Sequence, residues 1–177
     1  KTEEARVGYY KVKLYDYDIT VELTATQRCG YLRFTYPESN TANLLFDFNF
    51  IYEENAADMR GAYYRVVSDT EVEGYIKQTS SFADEYTVHF VARFNKPFRH
   101  AQGWERDTLR KDFLYGVEWQ QEVAFYKEKE KELDGQCGLA LRFETQEGET
   151  VEAQTAISLV SIEQARLNLE QEMLPFG

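Results

Sequence analysis

The sequence predicts an all-β fold, an antiparallel β-sandwich with one C-terminal helix. Three observations predict it. Aromatic residues make up 15% of the 177 positions, with 13 Tyr and 12 Phe, and these residues favour the half-buried, pleated surface of a strand. Polar and apolar residues alternate in run after run, which gives each strand one buried face and one wet face. The period shifts to that of a helix only after Ser161.

The strands follow in order. Gly8 to Asp16 sets Tyr10, Val12 and Leu14 against Lys11 and Lys13. Asp18 to Thr26 places Ile19, Val21, Leu23 and Ala25 on one face and four polar residues on the other. Gln27-Arg28 makes a turn, Cys29 to Tyr36 returns, and Pro37 ends the run. Asn43 to Ile51 sets Leu44, Phe46, Phe48 and Phe50 against Leu45, Asp47 and Asn49. The polar stretch Glu53 to Arg60 reads as a loop. Ala62 to Ser68 and Glu71 to Gln78 are strands, and Tyr86 to Phe94 is the clearest, with Tyr86, Val88, Phe90, Ala92 and Phe94 on one face. Short strands with turn signals at this spacing indicate a sandwich or barrel.

Residues 99–134 carry less pattern. Trp104 falls in a loop-like run, Gly116 to Tyr126 reads as a strand with Trp119 in the core, and Lys127 to Glu132 alternates in charge as a solvated segment does. Cys137 to Thr145 and Thr150 to Val160 are expected to form a hairpin around Glu147-Gly148.

Ser161-Ile162-Glu163-Gln164 then reads as a capping box, in which Ser161 accepts from the Gln164 amide and the Gln164 side chain reaches back. Ile162, Ala165, Leu169 and Met173 recur at helical spacing, and Pro175 and Gly177 close the helix. A lone amphipathic helix of about three turns needs a surface to pack on. That stripe is expected either on the domain's own sheet or exposed as an inter-domain interface. The division is residues 1–160 as the sandwich and 161–177 as a helix leading toward a further domain.

Composition excludes several functions. With 20 basic and 31 acidic residues the net charge is -11, which repels nucleic-acid backbones and anionic membranes but not a neutral sugar. The apolar runs are too short to span a bilayer. Two Cys, Cys29 and Cys137, allow at most one disulfide and otherwise read as small buried hydrophobes. Two scattered His give no support for a metal site. The opening Lys1-Thr2-Glu3-Glu4 carries no Met and no signal, and predicts a processed or truncated product.

No catalytic constellation is marked out. His89 opposes the apolar face of its strand and reads as a half-exposed strand histidine. Glu3, His100 and Trp104 are the substrate-side candidates, the last two because an aromatic face stacks on the C–H groups of a sugar ring; a packing anchor is the competing role for Trp104. Glycoside hydrolysis needs two carboxylates at fixed separation, and no pair stands out. Glu3-Glu4 and Asp47 are the acids to inspect, each also a candidate surface or structural charge, and Asp47 one that could accept backbone amides.

Three segments together resemble one family. The first is Glu3-x-Ala5-x-x-Gly8-Tyr9-Tyr10-x-Val12-x-Leu14, continuing into Val21-Glu22-Leu23-Thr24-Ala25-Thr26-x-Arg28-x-Gly30 and Arg33-Phe34-Thr35-Tyr36-Pro37. The second runs from Tyr86-Thr87-Val88 through Phe90-Val91-Ala92 to Lys96-Pro97-Phe98. The third runs from Ala156-Ile157-Ser158-Leu159-Val160-Ser161 to Asn168-Leu169. The set resembles the N-terminal domain of family 92 glycoside hydrolases. Val7 stands where that pattern has Pro, and Leu32 where many members have His.

The resemblance implies a supersandwich of galactose mutarotase-like type. It implies a parent that is a calcium-dependent, inverting exo-α-mannosidase acting on terminal α-mannosides of N-glycans or mannans, with α-1,2 linkages the leading expectation. The calcium and both catalytic carboxylates would lie in an (α/α)6 catalytic domain, the chain's expected partner together with α-mannoside glycans. This chain would be inactive alone, free of metal, and a wall of the parent's pocket, secreted or held in the periplasm or at the cell surface. The alternatives are a stand-alone carbohydrate-binding module and a purely structural sandwich.

Overall fold

A computed structural model describes residues 2–48, 59–80, 83–106, 123–126, 130–133 and 137–176. The described strands are β1 (Glu3–Arg6), β2 (Tyr9–Leu14), β3 (Ile19–Ala25), β4 (Cys29–Thr35), β5 (Ser39–Asp47), β6 (Met59–Ser68) and β7 (Glu71–Ser80). After them come β8 (Ala83–Phe94), β9 (His100–Arg106), β10 (Val123–Tyr126), β11 (Glu130–Leu133), β12 (Cys137–Thr145) and β13 (Thr150–Ser158), and then the helix α1 (Ile162–Glu172). The strands pair antiparallel in two sheets. The larger runs β1-β2-β3-β4-β13-β8-β7-β6-β11 and the smaller β10-β9-β12-β5. This is the all-β sandwich expected from the alternation.

The alternation decides what lies between the sheets. Phe90, Ala92 and Phe94 of β8 face inward and meet Phe46, Phe48, Leu139, Leu141 and Phe143 from the smaller sheet. The rings pack at mutual angles, Phe94 5.6 Å from Phe143 and Phe48 5.5 Å from Phe90. Removing one such ring from a close-packed core costs about 3–5 kcal/mol.

Several expectations are corrected. β12 and β13 do not form a hairpin, since they belong to different sheets. The residues between them dock instead on the corner after β4. Tyr36 N donates to Glu149 O at 3.0 Å, Gly148 N to Tyr36 O at 3.0 Å, and Thr145 Oγ1 to Pro37 O at 2.9 Å. Buried Tyr36 also donates through its hydroxyl to Asn43 O at 3.0 Å, and burial pushes its phenol up to about 12. Both strands carry enough buried apolar residues to fill a layer each, so a crossing bend buries more than a hairpin would.

Residues 130–133 of the charge run pair with β6 as a strand, and Trp104 lies in β9 rather than in a loop. Of the expected strand Gly116 to Tyr126, only Val123–Tyr126 is described; Trp119, Phe50 and the Glu53 loop up to residue 58 lie outside the described residues. Cys29 and Cys137 form no disulfide with each other and lie buried in separate clusters.

The helix begins where the capping signal places it. Ser161 Oγ accepts from Gln164 N at 3.1 Å. The second half of the box is not made, because the Gln164 side chain donates to Asn168 Oδ1 at 3.1 Å. α1 lies on the outer face of the larger sheet against β13, β8 and β4. Ala165 and Leu169 are buried with Cys29, Val91 and Ala156, and Ile162 and Met173 pack at the edge of that cluster.

Candidate functional site

The outer face of the smaller sheet brings together the sequence-predicted pair and residues the sequence did not single out. In β9, Gly103 and Ala101 pair with inward-facing Leu139 and Leu141, so His100, Gln102 and Trp104 project outward. Register across β9, β12 and β5 sets three rows: Trp104–Gly138–Asp47, Gln102–Ala140–Leu45 and His100–Arg142–Asn43. The middle strand contributes two small residues and then Arg142, whose Nε donates to Asn43 Oδ1 at 3.2 Å. The floor is therefore low, with Trp104 and Gln102 on one side and Leu45 and Asp47 on the other.

Trp104 is 5% exposed although it stands on the face away from the core. Gly138 makes room for it, since a Cβ at 138 would lie 2.6 Å from Trp104 Cζ2 and 1.9 Å from Phe46 O. Its Nε1 is the one buried side-chain donor or acceptor without a hydrogen-bond partner among the described residues. Leaving such a donor unmet costs about 1–3 kcal/mol. With the indole covered, the groups this face can offer a neutral polyol are the exposed Asn43, Leu45, Asp47 and His100 and the half-buried Gln102.

His100 is exposed on the same face, four residues from Trp104, or about 13 Å along the strand. That spacing lets the two residues line one surface but not act on one bond, which needs hydrogen-bond reach. Glu3 is not brought to them. It stands on β1, the outermost strand of the larger sheet, exposed, and accepts from Tyr10 Oη at 3.0 Å. That hydrogen bond raises the Tyr10 phenol above its ordinary value. His89 lies on the outer face, its Nδ1 3.2 Å from Ser158 O. Among the described residues no three His, Cys, Asp or Glu side chains gather as a metal-binding group.

The helical stripe of Ile162, Ala165, Leu169 and Met173 is taken up by the domain's own sheet. Polar groups lock it there. Asn168 Nδ2 donates to Ile157 O at 2.9 Å, and Gln154 Nε2 to Leu174 O at 2.8 Å. Arg166 bridges Glu71 and buried Glu73, while Arg93 holds Glu71 and Arg65 holds Glu73. Burial pushes the Glu71 carboxyl up, but the hydrogen bonds from Arg93 and Arg166 outweigh it and hold it below the ordinary range. At the helix end Glu172 accepts from Thr26 Oγ1, Arg28 Nε and Arg28 N, and these bonds hold its carboxyl at about 2.

Gly138, Ala140 and Gln102 were missed in the sequence reading. The signal for the first two is the run Cys137 to Leu141, in which buried Cys137, Leu139 and Leu141 alternate with small Gly138 and Ala140 on the opposite face.

Residues 1–158 match the Glycosyl hydrolase family 92 N-terminal domain. The chain belongs to glycosyl hydrolase family 92. The family 92 alpha-mannosidase BT3965 of Bacteroides thetaiotaomicron, solved in complex with mannoimidazole, shares 29% identity with a TM-score of 0.73, over 96% of this chain and 21% of that one. The family 92 inverting mannosidase BT2199 of the same organism shares the fold at 19% identity, with a TM-score of 0.75 over 99% of this chain and 20% of that one. The family 92 glycosyl hydrolase ccman5 does so at 22% identity, with a TM-score of 0.72 over 99% of this chain and 22% of that one. No curated protein matches the sequence. This family 92 domain thus spans about a fifth of the length of the solved mannosidases it matches.

Proposed function

We propose that this family 92 domain is the non-catalytic sandwich of an inverting exo-α-mannosidase, and that the β9–β12–β5 face walls the parent's substrate pocket. The observation that carries the wall is the low floor of Gly138 and Ala140 between Gln102 on β9 and Leu45 and Asp47 on β5, with Trp104 packed against Gly138 to hold it. The family match and the mannosidases of similar fold support the parent activity.

Inversion needs a carboxylic acid on the leaving oxygen and a carboxylate on the attacking water, about 6.5–9.5 Å apart. That pair, and a calcium ion to polarise the sugar hydroxyls, would belong to the remaining four fifths of the parent. The described residues of this chain hold no metal cluster that fits the ion. This chain's part is to bind and orient. Buried Trp104 stiffens the floor of this face, and His100, Gln102 and Asp47 supply the accessible polar groups that meet the sugar.

The test is kinetics of the parent with Trp104→Ala and Trp104→Phe against terminal α-mannosides. Loss of a positioning contact of about 1.4–2.7 kcal/mol lowers kcat/KM about 10- to 100-fold for the alanine variant. The phenylalanine variant, which keeps the ring, should fall less. Unchanged kinetics in both would leave the domain a purely structural sandwich. Mannobiose binding by the isolated chain in calorimetry would favour a stand-alone binding module instead.

A further inference from the structure

Arginines in this acidic domain are spent on carboxylates. Arg28, Arg33, Arg65, Arg93, Arg99 and Arg166 each meet one. Among the described residues Arg142 meets none. It stands exposed on the outer face of the smaller sheet, and its partner is an amide, since Nε donates to Asn43 Oδ1 at 3.2 Å. That bond orients the guanidinium and leaves its two Nη groups. These form the fork by which an arginine takes an oxyanion through two parallel hydrogen bonds.

The surroundings prepare the fork. Register sets His100, Arg142 and Asn43 side by side across β9, β12 and β5, a row about 10 Å wide. His100 and Asn43 are exposed, and each side chain can donate. The backbone beneath is fixed. Buried Tyr36 Oη donates to Asn43 O at 3.0 Å, and Arg99 N donates to Arg142 O at 2.7 Å.

Acids on this face are engaged or distant. Glu144 is the next residue on the same side of β12, and Arg99 holds it at 3.2 Å. Asp47 lies four residues along β5 from Asn43, about 13 Å away. Charges beyond about 10 Å are largely screened at 0.1 M salt, so the net charge of -11 does not set the sign here. With Arg99 and Glu144 cancelling, the row keeps one uncancelled cation.

We propose that Arg142, with Asn43 and His100 beside it, binds an anionic group on the glycan, a phosphate or a carboxylate, and that the parent prefers α-mannosides carrying one. The inference rests on the β9–β12–β5 face being the pocket wall, and it names the substrates that the wall selects. Its row lies about 7 Å from the Gln102–Ala140–Leu45 row. A charge on one sugar therefore reaches the fork while the adjoining sugar lies over the Ala140 floor. A hydroxyl there would leave the guanidinium charge unmatched, whereas an oxyanion makes a charge-assisted pair.

The test is kcat/KM of the full-length protein on three terminal α-mannosides: one neutral, one bearing a phosphate and one bearing a uronic acid. Wild type should favour at least one charged substrate by about 10-fold or more, with an advantage that shrinks as salt rises. Arg142→Gln should lower kcat/KM for that substrate about 10-fold or more and leave the neutral one within about twofold. Arg142→Lys keeps the charge without the fork and should fall between. Whichever charged substrate responds names the anion. A wild type with no preference for either charged substrate would overturn the proposal. So would an Arg142→Gln loss equal on charged and neutral substrates. Trp104→Ala separates this site from the wall. If it lowers turnover of all three while Arg142→Gln lowers none, the wall stands and the anion site falls. If it changes none, the wall has failed and the anion site with it.

Discussion

The two outer faces of this sandwich are finished in opposite ways. On the larger sheet α1 closes the surface, and its buried polar groups are met: Asn168 by a backbone carbonyl, Glu73 by two arginines. On the smaller sheet an indole is buried with its donor unmet. A face that serves only folding is driven to satisfy its polar groups, because each failure costs stability without return. On the second face folding leaves one buried donor unspent. The difference separates the side closed by α1 from the side to which we assign the pocket wall.

The largest expected effect is on the closed side. Leu169→Ala empties the centre of the helix contact and should destabilise the protein by about 2–5 kcal/mol, read by urea unfolding. A change below about 1 kcal/mol would mean that α1 is only loosely seated. Arg166→Ala comes next. It leaves Glu73, 2% exposed, with Arg65 alone, and loss of one hydrogen bond to a buried charge costs about 1.5–3 kcal/mol. Addition of Glu73→Gln should recover part of that loss, whereas a simple packing role for Arg166 predicts no recovery.

A smaller effect is pH-dependent. The Thr26 and Arg28 hydrogen bonds hold Glu172 at about 2 in the folded protein, against about 4.3 for a free Glu. A depressed folded value means stability that is complete above about pH 4.3 and lost as pH falls toward 2. The stability gap between wild type and Glu172→Gln should therefore be present at pH 6 and close by pH 2; a gap independent of pH would break the clamp argument. Trp104→Phe should have the smallest effect on stability, about zero or slightly stabilising, since it removes an unmet donor. A large loss would return Trp104 to the packing anchors and erase the contrast.

The fold was legible where one strand's own period carries the information. β8 and β3 show their buried faces directly, and Ser161 marks the helix start because capping is a local hydrogen bond. Partner choice was not legible. β12 and β13 are adjacent in sequence with a turn between them, yet their pairings are set by layers assembled from distant strands. β9 escaped notice because its inward residues are Ala101 and Gly103, small enough to admit Tyr64 and so without an apolar signature. His100 and Trp104 could be named from residue type alone, but the small floor of Gly138 and Ala140 appears only when three strands are set in register.

The central claim is that this domain shapes a pocket whose chemistry is done elsewhere in the parent. Mannose release from a terminal α-mannoside tests it most directly, with the purified 177-residue chain and the full-length protein compared with and without calcium. The prediction is calcium-dependent release by the full-length protein and none by the chain alone. Calcium-dependent release by the purified chain would contradict it.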